Sequence, residues 1–286
     1  MCALDRQQEV ATMPDTPIID MHHHLGDSPD YADRLAATCE RLGIVKVCVM
    51  AIESGAHMAG FGGNADVEAA FRRHPKTILG FGHVRLGIDG PEKVAELKDR
   101  GFTGLKFIIP PKAYNDESFF PIYEKAEALG MPGLFHLGIV ARQEQGHHVR
   151  VDCGLMRPIH LDSIARTFPD WKIIGAHLGN PFYEEATMSA RWNPNLFFDL
   201  SGSTLKAHRP EQISELLWWD STTRYGSPDG TAAWEKIVFG SDVDYFEIKD
   251  VLHDYEVLMR SANVRPEWRA AVRYRTAARI LGLELA

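Results

Sequence analysis

Residues 18–24 read IIDMHHH, a short apolar run that ends in three consecutive histidines. Seven further apolar runs follow along the chain, and most stay apolar over several consecutive residues. Such runs are typical of strands that are covered on both faces, as in a parallel sheet. The eight candidate strands are IIDMHHH (18–24), IVKVCVMAI (44–52), TILGFGHV (77–84), GLKFII (104–109), GLFHLG (133–138), KIIGAHLG (172–179), LFFDLSG (196–202) and KIVFGSDV (236–243).

Helical patterns fill the intervals between these runs. The segment DYADRLAATCERLG (30–43) carries apolar residues at helical spacing and ends at Gly43, and GPEKVAELKDRG (90–101) has a proline near its start. Strand and helix alternate eight times, which implies right-handed crossovers between parallel strands. The sequence therefore predicts an α/β fold, a (β/α)8 TIM barrel, as one domain over residues 1–286 with 1–15 as a frayed lead-in.

The net charge and the lengths of the apolar segments argue against several classes of protein. The 286 residues carry a formal net charge of −8, which argues against a nucleic-acid partner because such partners require a basic face. No segment approaches the roughly 20 apolar residues of a membrane span, and the N-terminus lacks the pattern of a signal peptide.

Homo-oligomerisation through LLWWD (216–220) is an alternative to buried packing of that segment. Four cysteines without C-x-x-C spacing indicate reduced, buried thiols in a cytoplasmic protein: Cys2, Cys39, Cys48 and Cys153.

The histidine run has a geometric explanation. Side chains alternate along a strand, so Asp20, His22 and His24 are expected on one face and His23 on the other. In a barrel of this type the carboxyl ends of the strands form the mouth, where functional residues gather. His22 and His24 are therefore expected to project into the mouth as a chelating pair, while His23 packs toward the surrounding helices.

Four other candidate strands carry polar side chains near their carboxyl ends, namely Lys106, His136, His177 and Asp242. Imidazoles and a carboxylate gathered in one pocket suit a divalent metal, with zinc first and manganese, iron or cobalt as alternatives. Each residue taken alone has a plainer interpretation. The histidines could be hydrogen-bonded core residues, Asp242 could cap the following helix, and Lys106 could pair with a carboxylate.

Taken together, these segments resemble the amidohydrolase superfamily, in particular its amidohydrolase-related (amidohydrolase 2) metal-dependent hydrolases. The resemblance extends over nearly the whole chain, and the order of the segments makes it specific. The similar segments, between residues 18 and 283, are IIDMHHHLG, GFTGLKFIIP, YEKAEALGMPGLFHLG, FPDWKIIGAHLGNP, NLFFDLSG, KIVFGSDV and TAARILGL.

The resemblance implies a (β/α)8 barrel with one or two divalent metals at its mouth. His22, His24, His136 and Asp242 match the metal ligands of the family, and Asp242 also matches the residue that shuttles a proton. His177 matches a histidine that is either catalytic or a ligand of a second metal. Lys106 lies where some relatives carry a carboxylated lysine between two metals. In other relatives this lysine is unmodified, so one ion is expected.

The favoured function is hydrolysis of a small ester, lactone or amide by metal-activated water. In this interpretation Asp242 passes the proton of the water to the leaving group, and His177 hydrogen-bonds the developing oxyanion. Lys106, Arg85 and Arg142 are the candidates for holding a substrate carboxylate. The expected partner is therefore a small molecule.

Two other functions stay open. One is non-oxidative decarboxylation of an aromatic or unsaturated acid at the same metal, in a pocket lined by Phe61, Trp192 or Tyr245. The other is a non-catalytic barrel that holds its metal in a closed coordination sphere. Decarboxylase relatives often carry a proline after the fifth-strand histidine, where this chain has Leu137, and this difference favours hydrolysis. The longest irregular segment, 139–156, is expected to be functional.

Overall fold

Eight parallel strands form the central sheet of this protein. The computed structural model describes residues 16–53, 60–141, 151–219 and 230–284. Each strand pairs with the next one along the chain, so the order in the sheet is the order in the sequence. The strands are β1 Ile18–His24, β2 Ile44–Met50, β3 Ile78–His83, β4 Gly104–Phe107, β5 Gly133–Phe135, β6 Ile173–Gly175, β7 Leu196–Asp199 and β8 Ile237–Val238.

Helices follow the strands and cover the outside of the sheet. The first helix ends as expected, because Gly43 adopts a left-handed conformation with φ +71° and its N–H donates to the carbonyls of Cys39 and Glu40. The helices in the described ranges are α1 Tyr31–Leu42, α2 Asn64–Arg73, α3 Pro91–Asp99, α4 Phe120–Ala128, α5 Pro158–Thr167, α6 Tyr183–Trp192, α7 Ser203–Ala207, α8 Pro210–Leu216, α9 Ile248–Ser261, α10 Pro266–Ala270 and α11 Thr276–Leu281.

The sheet closes on itself between its first strand and its last. The N–H of Met21 donates to the carbonyl of Phe239 at 2.9 Å, and the N–H of Asp242 donates to the carbonyl of His22 at 2.8 Å. These bonds join the segment that follows β8 to β1. The predicted eight-stranded parallel (β/α)8 barrel is therefore confirmed.

The inside of the barrel is an apolar core with a closed floor. Side chains such as Phe81 and Phe197 fill the interior, and Tyr274, Ala277 and Ile280 of the C-terminal segment pack against the same cluster. A second, larger cluster lies between the strands and the helices around them. With its amino-terminal end filled, the barrel leaves its carboxyl end for a site.

The alternation predicted for β1 breaks at one point. In the pairing of β1 with β2, Asp20 lies opposite Val47 and His23 lies opposite Val49, so three residues of β1 advance while β2 advances by two. Asp20 therefore does not share the face of the two histidines that follow it. Its Oδ1 accepts hydrogen bonds from the N–H groups of His22 and Ser241.

The last two helical segments of the chain follow β8. The first of them, α9, begins at Ile248, and the second is divided into α10, a π-helical turn at Ala271–Arg275 and α11. The π-helical turn presents the carbonyl of Val272 to the N–H of Phe239, which donates to it at 2.9 Å. This contact with the end of β8 gives the widened turn a structural reason.

The LLWWD segment is divided between core and surface. Leu217 is buried, Trp219 packs partly against the core, and Trp218 is 46% exposed. Asp220 and the lead-in 1–15 lie outside the described residues. Within the described ranges, the helices are too short or too polar to cross a bilayer.

Gly138, just after β5, is a position where an added methyl group has no room. Its φ is +72°, and a Cβ there would lie 1.7 Å from the carbonyl oxygen of Asn180. We expect Gly138→Ala to lower the free energy of unfolding by about 3 kcal/mol or more. Gly130→Ala is the matched control, because Gly130 has φ +62° with no atom within 4 Å of the added Cβ and should cost only about 1 kcal/mol. Equal losses in urea unfolding of the two variants would contradict this expectation.

Candidate metal centre

His22 and His24, at the end of β1, are each held by one ring nitrogen. The Nδ1–H of His22 donates to Oδ2 of Asp199 at 3.0 Å, and the Nδ1–H of His24 donates to the carbonyl of Met50 at 3.2 Å. A neutral imidazole carries a single proton, so the Nε2 atom of each ring is left as a lone pair. Both residues line the same cavity.

His177, after β6, is held in the same way. Its Nδ1 lies 2.9 Å from Oγ of Ser201 and 3.2 Å from the Ser201 carbonyl. The Ser201 hydroxyl donates to Oδ1 of Asp199 at 2.5 Å, which leaves its oxygen to accept the Nδ1–H of His177. His177 has φ +61°, a conformation that non-glycine residues seldom adopt and that often marks functional sites.

The three Nε2 atoms converge on one carboxylate. Oδ1 of Asp242 lies 3.6 Å from Nε2 of His22 and 3.5 Å from Nε2 of His24, and its Oδ2 lies 3.8 Å from Nε2 of His177. Asp242 itself has φ +47°, and its N–H is fixed by the carbonyl of His22. Three chain segments that are far apart in the sequence, namely the end of β1 and the segments around His177 and Asp242, thus meet within one small volume.

This arrangement matches the ligand chemistry of a divalent cation. The tautomers set by the Nδ1 hydrogen bonds place nitrogen lone pairs against carboxylate oxygens, which repel one another unless a cation lies between them. Four ligands bound to zinc at about 2.05 Å are roughly 3.4 Å apart. The separations from Asp242 to His22 and His24 are close to that spacing, and His22, His24 and Asp242 together can offer donor atoms within 4.8 Å of one another.

His136, at the end of β5, lies beside this group. Its ring centroid is 5.0 Å from that of His177, and it lines the same cavity. The ring hydrogen-bonds to the backbone of Ile139, and its buried Nε2 has no hydrogen-bond partner in the part of the chain that the structure describes. An unpaired buried nitrogen next to such a group suits a metal ligand, although His136 belongs to neither of the three-residue clusters that could hold an ion.

Lys106, in β4, lies on the inner side of the same group. It is fully buried, and its Nζ donates to Nε2 of His22 at 3.2 Å. Burial lowers the pKa of Lys106 to about 8, partly offset by the charges of Asp242 and Asp199. In this structure the Lys106 ammonium group therefore supplies the positive charge next to Nε2 of His22.

Burial also favours the neutral form of three of these histidines, His24, His136 and His177. It lowers the pKa of His24 and of His136 well below the ordinary value, and the charge of Lys106 adds to the effect in both. The pKa of His177 is lowered for the same reason, with Asp242 opposing the shift. Neutral imidazoles are the form that binds metal ions.

Asp199, at the end of β7, is a site residue that the sequence interpretation missed. Burial alone would raise its pKa, but electrostatic interaction and a hydrogen bond with His22 outweigh this and lower the pKa below its usual range. Asp199 binds the ring of His22 directly. It holds His177 in two ways, by accepting the His177 N–H at 3.0 Å and by accepting the hydroxyl of Ser201, which contacts the His177 ring. The feature of the sequence that could have indicated Asp199 is a single acidic residue at the end of the otherwise apolar strand LFFD.

A cavity of about 570 Å³ opens above this group at the carboxyl ends of the strands. The segment predicted to be functional contributes Ile139, Val140 and Ala141 to the wall, and its residues 142–150 lie outside the described ranges. Of the aromatic residues expected to line a pocket, Phe61 does so, with its ring 5.0 Å from that of His24. Trp192 is 63% exposed, and neither Trp192 nor Tyr245 is among the described lining residues.

The arginines expected near the substrate are not seen there. Arg85 binds Asp89 through two nitrogens at 3.2 and 2.8 Å and is not among the described residues of the cavity wall. Arg142 lies outside the described residues. The described wall instead carries the carboxylates of Asp27, Asp244 and Glu247 and contains no lysine or arginine.

We expect the metal-free protein to lose stability as the pH falls below about 6.5. Burial lowers the pKa of His23 to about 3 and that of His83 to about 4, and lowers those of His24 and His136 further still. Unfolded histidines titrate near 6.5, so between about pH 6.5 and 4 the unfolded chain binds the extra protons. Asp20 has the opposite effect on stability from these four histidines. Burial raises its pKa to about 7, so the folded chain holds that proton over the same pH range.

The measurement is urea unfolding of the metal-free protein at several pH values. The free energy of unfolding should decrease by about 1.4 kcal/mol per pH unit for each net proton. A profile that stays flat between pH 7 and 5 would contradict the burial of neutral histidines.

Comparisons with known proteins agree with this fold. The sequence profile described as Amidohydrolase matches residues 19–283. No protein with a curated description matches the sequence. An uncharacterized TIM-barrel protein from Bordetella bronchiseptica has a similar structure, with a TM-score of 0.70, 17% sequence identity and coverage of 93% of this chain and 98% of that one.

Two further similar structures contain a bound metal. An amidohydrolase from Burkholderia multivorans with bound zinc has a TM-score of 0.61 at 14% identity and covers 94% of this chain and 100% of its own. A 5-carboxyvanillate decarboxylase from Novosphingobium aromaticivorans, complexed with manganese and 4-hydroxy-3-methoxy-5-nitrobenzoic acid, has a TM-score of 0.60 at 13% identity, with 94% and 97% coverage. At these identities the likeness shows the barrel fold.

Proposed function

The chain belongs to the Amidohydrolase family, whose profile covers residues 19–283, and from that premise we propose a metal-dependent hydrolase that acts on a small ester, lactone or amide. The observation that carries this proposal is the convergence of three unprotonated Nε2 atoms on Asp242. Since the family neighbours include a zinc-bound amidohydrolase and a manganese-bound decarboxylase, metal binding is common to both reactions that we consider.

We assign one divalent ion to His22, His24 and Asp242, with His136 as a further ligand. Zinc suits three imidazoles and one carboxylate best, and manganese, iron and cobalt accept the same ligands. Such an ion, when bound, acidifies a water ligand and polarises a substrate carbonyl.

Asp242 is the proposed proton carrier. It takes the proton of the attacking water and delivers it to the leaving group, which suits an acid at the base of an open cavity. His177 is placed to assist as a proton acceptor, because its Nδ1–H is bound by Ser201 and its Nε2 faces Asp242 at 3.8 Å. The neutral ring therefore has no proton on Nε2 with which to hydrogen-bond an oxyanion. We assign His177 the role of a proton acceptor in place of the oxyanion contact expected from the sequence.

The charge of the cavity wall favours a neutral substrate. Asp27, Asp244 and Glu247 line it, and the described lining residues include no lysine or arginine. A substrate carboxylate would be repelled by these groups, whereas an uncharged ester, lactone or amide would not. This charge distribution supports hydrolysis of a neutral acyl compound.

Decarboxylation is the second candidate function. The similarity to a 5-carboxyvanillate decarboxylase and the position of Phe61 against His24 favour it. In that reaction Asp242 would hand its proton to the carbon that loses carbon dioxide.

The test uses protein loaded with zinc or manganese. We expect release of acid from lactones and esters, followed with a pH indicator, and no carbon dioxide from hydroxybenzoates. Carbon dioxide release without hydrolysis would replace the first function with the second. Tight metal binding without either activity would leave a non-catalytic metal-binding barrel.

A further inference from the structure

His23 is the member of the histidine run that the proposed chemistry does not use. Its side chain is fully buried and is not among the described residues of the cavity wall. Both of its ring nitrogens are hydrogen-bonded, Nδ1 to Oγ of Ser241 at 3.0 Å and Nε2 to the hydroxyl of Tyr31 at 3.2 Å. The ring therefore joins the start of α1 to the segment that carries Asp242.

The bridge is made by a neutral ring. Burial lowers the pKa of His23 to about 3, so near pH 7 the ring carries a single proton. Ser241 and Tyr31 each have a hydroxyl group, which can donate or accept, so one ring proton is enough to satisfy both contacts. A buried imidazole that is hydrogen-bonded at both nitrogens is held in one orientation.

Asp242 follows Ser241 directly and has a strained backbone. Its φ is +47°, in a region that non-glycine residues seldom occupy and that persists only where the surrounding structure imposes it. The N–H of Asp242 donates to the carbonyl of His22 at 2.8 Å, and the N–H of Ser241 donates to Oδ1 of Asp20 at 3.0 Å. These backbone contacts fasten the strained segment to β1.

The side chain of Ser241 adds a further hold on this segment. Ser241 is fully buried, and its Oγ lies 3.0 Å from the His23 ring and 3.3 Å from the carbonyl of His22. Without the His23 contact the hydroxyl keeps the longer bond, and the backbone of Asp242 can relax toward the right-handed conformations that L residues prefer. Such a change would turn the Asp242 carboxylate away from the histidine nitrogens that it faces.

We propose that His23 is a positioning residue, which holds Ser241 and thereby keeps the Asp242 carboxylate aimed at the candidate metal ligands. It acts through Ser241, since its own ring is buried and is not among the described lining residues of the cavity. For its effect on turnover this role rests on the proposed function, in which Asp242 carries the proton. The hold on the strained segment depends only on the contacts of His23 and Ser241.

Three substitutions at His23 separate its two hydrogen bonds. Asparagine places an amide atom near the position of Nδ1, glutamine reaches the position of Nε2, and phenylalanine keeps a ring without either nitrogen. His23→Gln and His23→Phe therefore lose the Ser241 contact, and on a lactone or ester that the protein hydrolyses their kcat should fall about tenfold with little change in KM. His23→Asn keeps that contact and should retain kcat within about threefold. Equal losses in His23→Asn and His23→Gln would overturn the proposal.

Spectra of the cobalt-loaded protein give a readout that does not need turnover. Asp242 is one of the assigned ligands, so a change in its position should shift the visible absorption bands of bound cobalt. We expect shifted bands in His23→Gln and His23→Phe, and bands close to the original ones in His23→Asn. Unshifted bands together with unchanged kcat in all three variants would overturn the proposal. If the original protein hydrolyses nothing and the bands follow the expected order, the hydrolase proposal fails and the positioning role stands.

Ser241→Ala tests whether His23 acts through this residue. With the hydroxyl removed, adding His23→Phe should lower kcat by less than about threefold more, whereas two independent effects would multiply and contradict the proposal. Circular dichroism verifies that each variant folds, and His23→Gln takes the place of His23→Phe if the latter does not. If cobalt does not bind, crystal structures decide the matter, because an Asp242 that keeps its left-handed φ in His23→Gln would overturn the proposal.

Discussion

Asp242→Asn should lower kcat about 1,000-fold. Asparagine has nearly the shape of aspartate, and its carbonyl oxygen can still face His22 and His24, which lie 3.6 and 3.5 Å from Oδ1 in this structure. The amide cannot accept and return a proton, so the loss should fall on turnover more than on KM. The measurement is steady-state kinetics on a lactone or ester that the protein hydrolyses.

Asp27→Asn is the matched control for this change. Asp27 lines the same cavity and carries the same charge, but it does not belong to either three-residue group that could hold a metal. Its kcat should stay within about threefold of the original value. If Asp242→Asn also stayed within that range, Asp242 would not be the proton carrier.

Replacing His22 is expected to remove the metal. His22 takes part in both three-residue groups that could hold an ion, and its Nε2 faces Asp242. His22→Ala should weaken metal binding more than about 100-fold, since it deletes a ligand and leaves Oδ2 of Asp199 without the imidazole that it binds. Metal content measured by elemental analysis after dialysis against a defined zinc buffer tests this expectation.

Asp199→Asn provides a graded comparison and His253→Gln a control. The Asp199 substitution leaves the ligands in place but weakens the hydrogen bond that fixes the His22 tautomer, so metal affinity should fall about 10- to 100-fold. His253 is exposed on α9 and belongs to neither three-residue group that could hold an ion, and its replacement should leave metal content unchanged. Undiminished zinc in His22→Ala would refute the ligand assignment.

The position of the histidine pair could be predicted from sequence because side chains alternate from His22 to His24 at the end of β1, and both histidines line the cavity. His23 confirms the alternation, since it turns toward α1 and hydrogen-bonds Tyr31 and Ser241. Asp20 departs from the alternation because the pairing of β1 with β2 shifts between Asp20 and His23. A shift of this kind depends on the neighbouring strand, which local periodicity does not describe.

The roles of single side chains were harder to infer. The sequence interpretation missed Asp199, because its role is defined by its contacts with His22 and Ser201. Arg85 looked available for a substrate, but Asp89 four residues later in the chain binds it. Both outcomes depend on hydrogen-bond partners, which residue type and spacing leave open.

The amino-acid sequence by itself determined the eight alternating units, the end of the barrel at which polar residues collect, and the pair His22 and His24. These properties follow from hydrophobic periodicity and from the alternation of side chains along a strand, both of which are local. Only the tertiary structure decided which nitrogen of each histidine faces Asp242, because the choice is made by acceptors from other strands such as Asp199 and Met50. The tertiary structure also decided that, among the described residues, the buried Nε2 of His136 has no hydrogen-bond partner, since that depends on the groups packed around the ring.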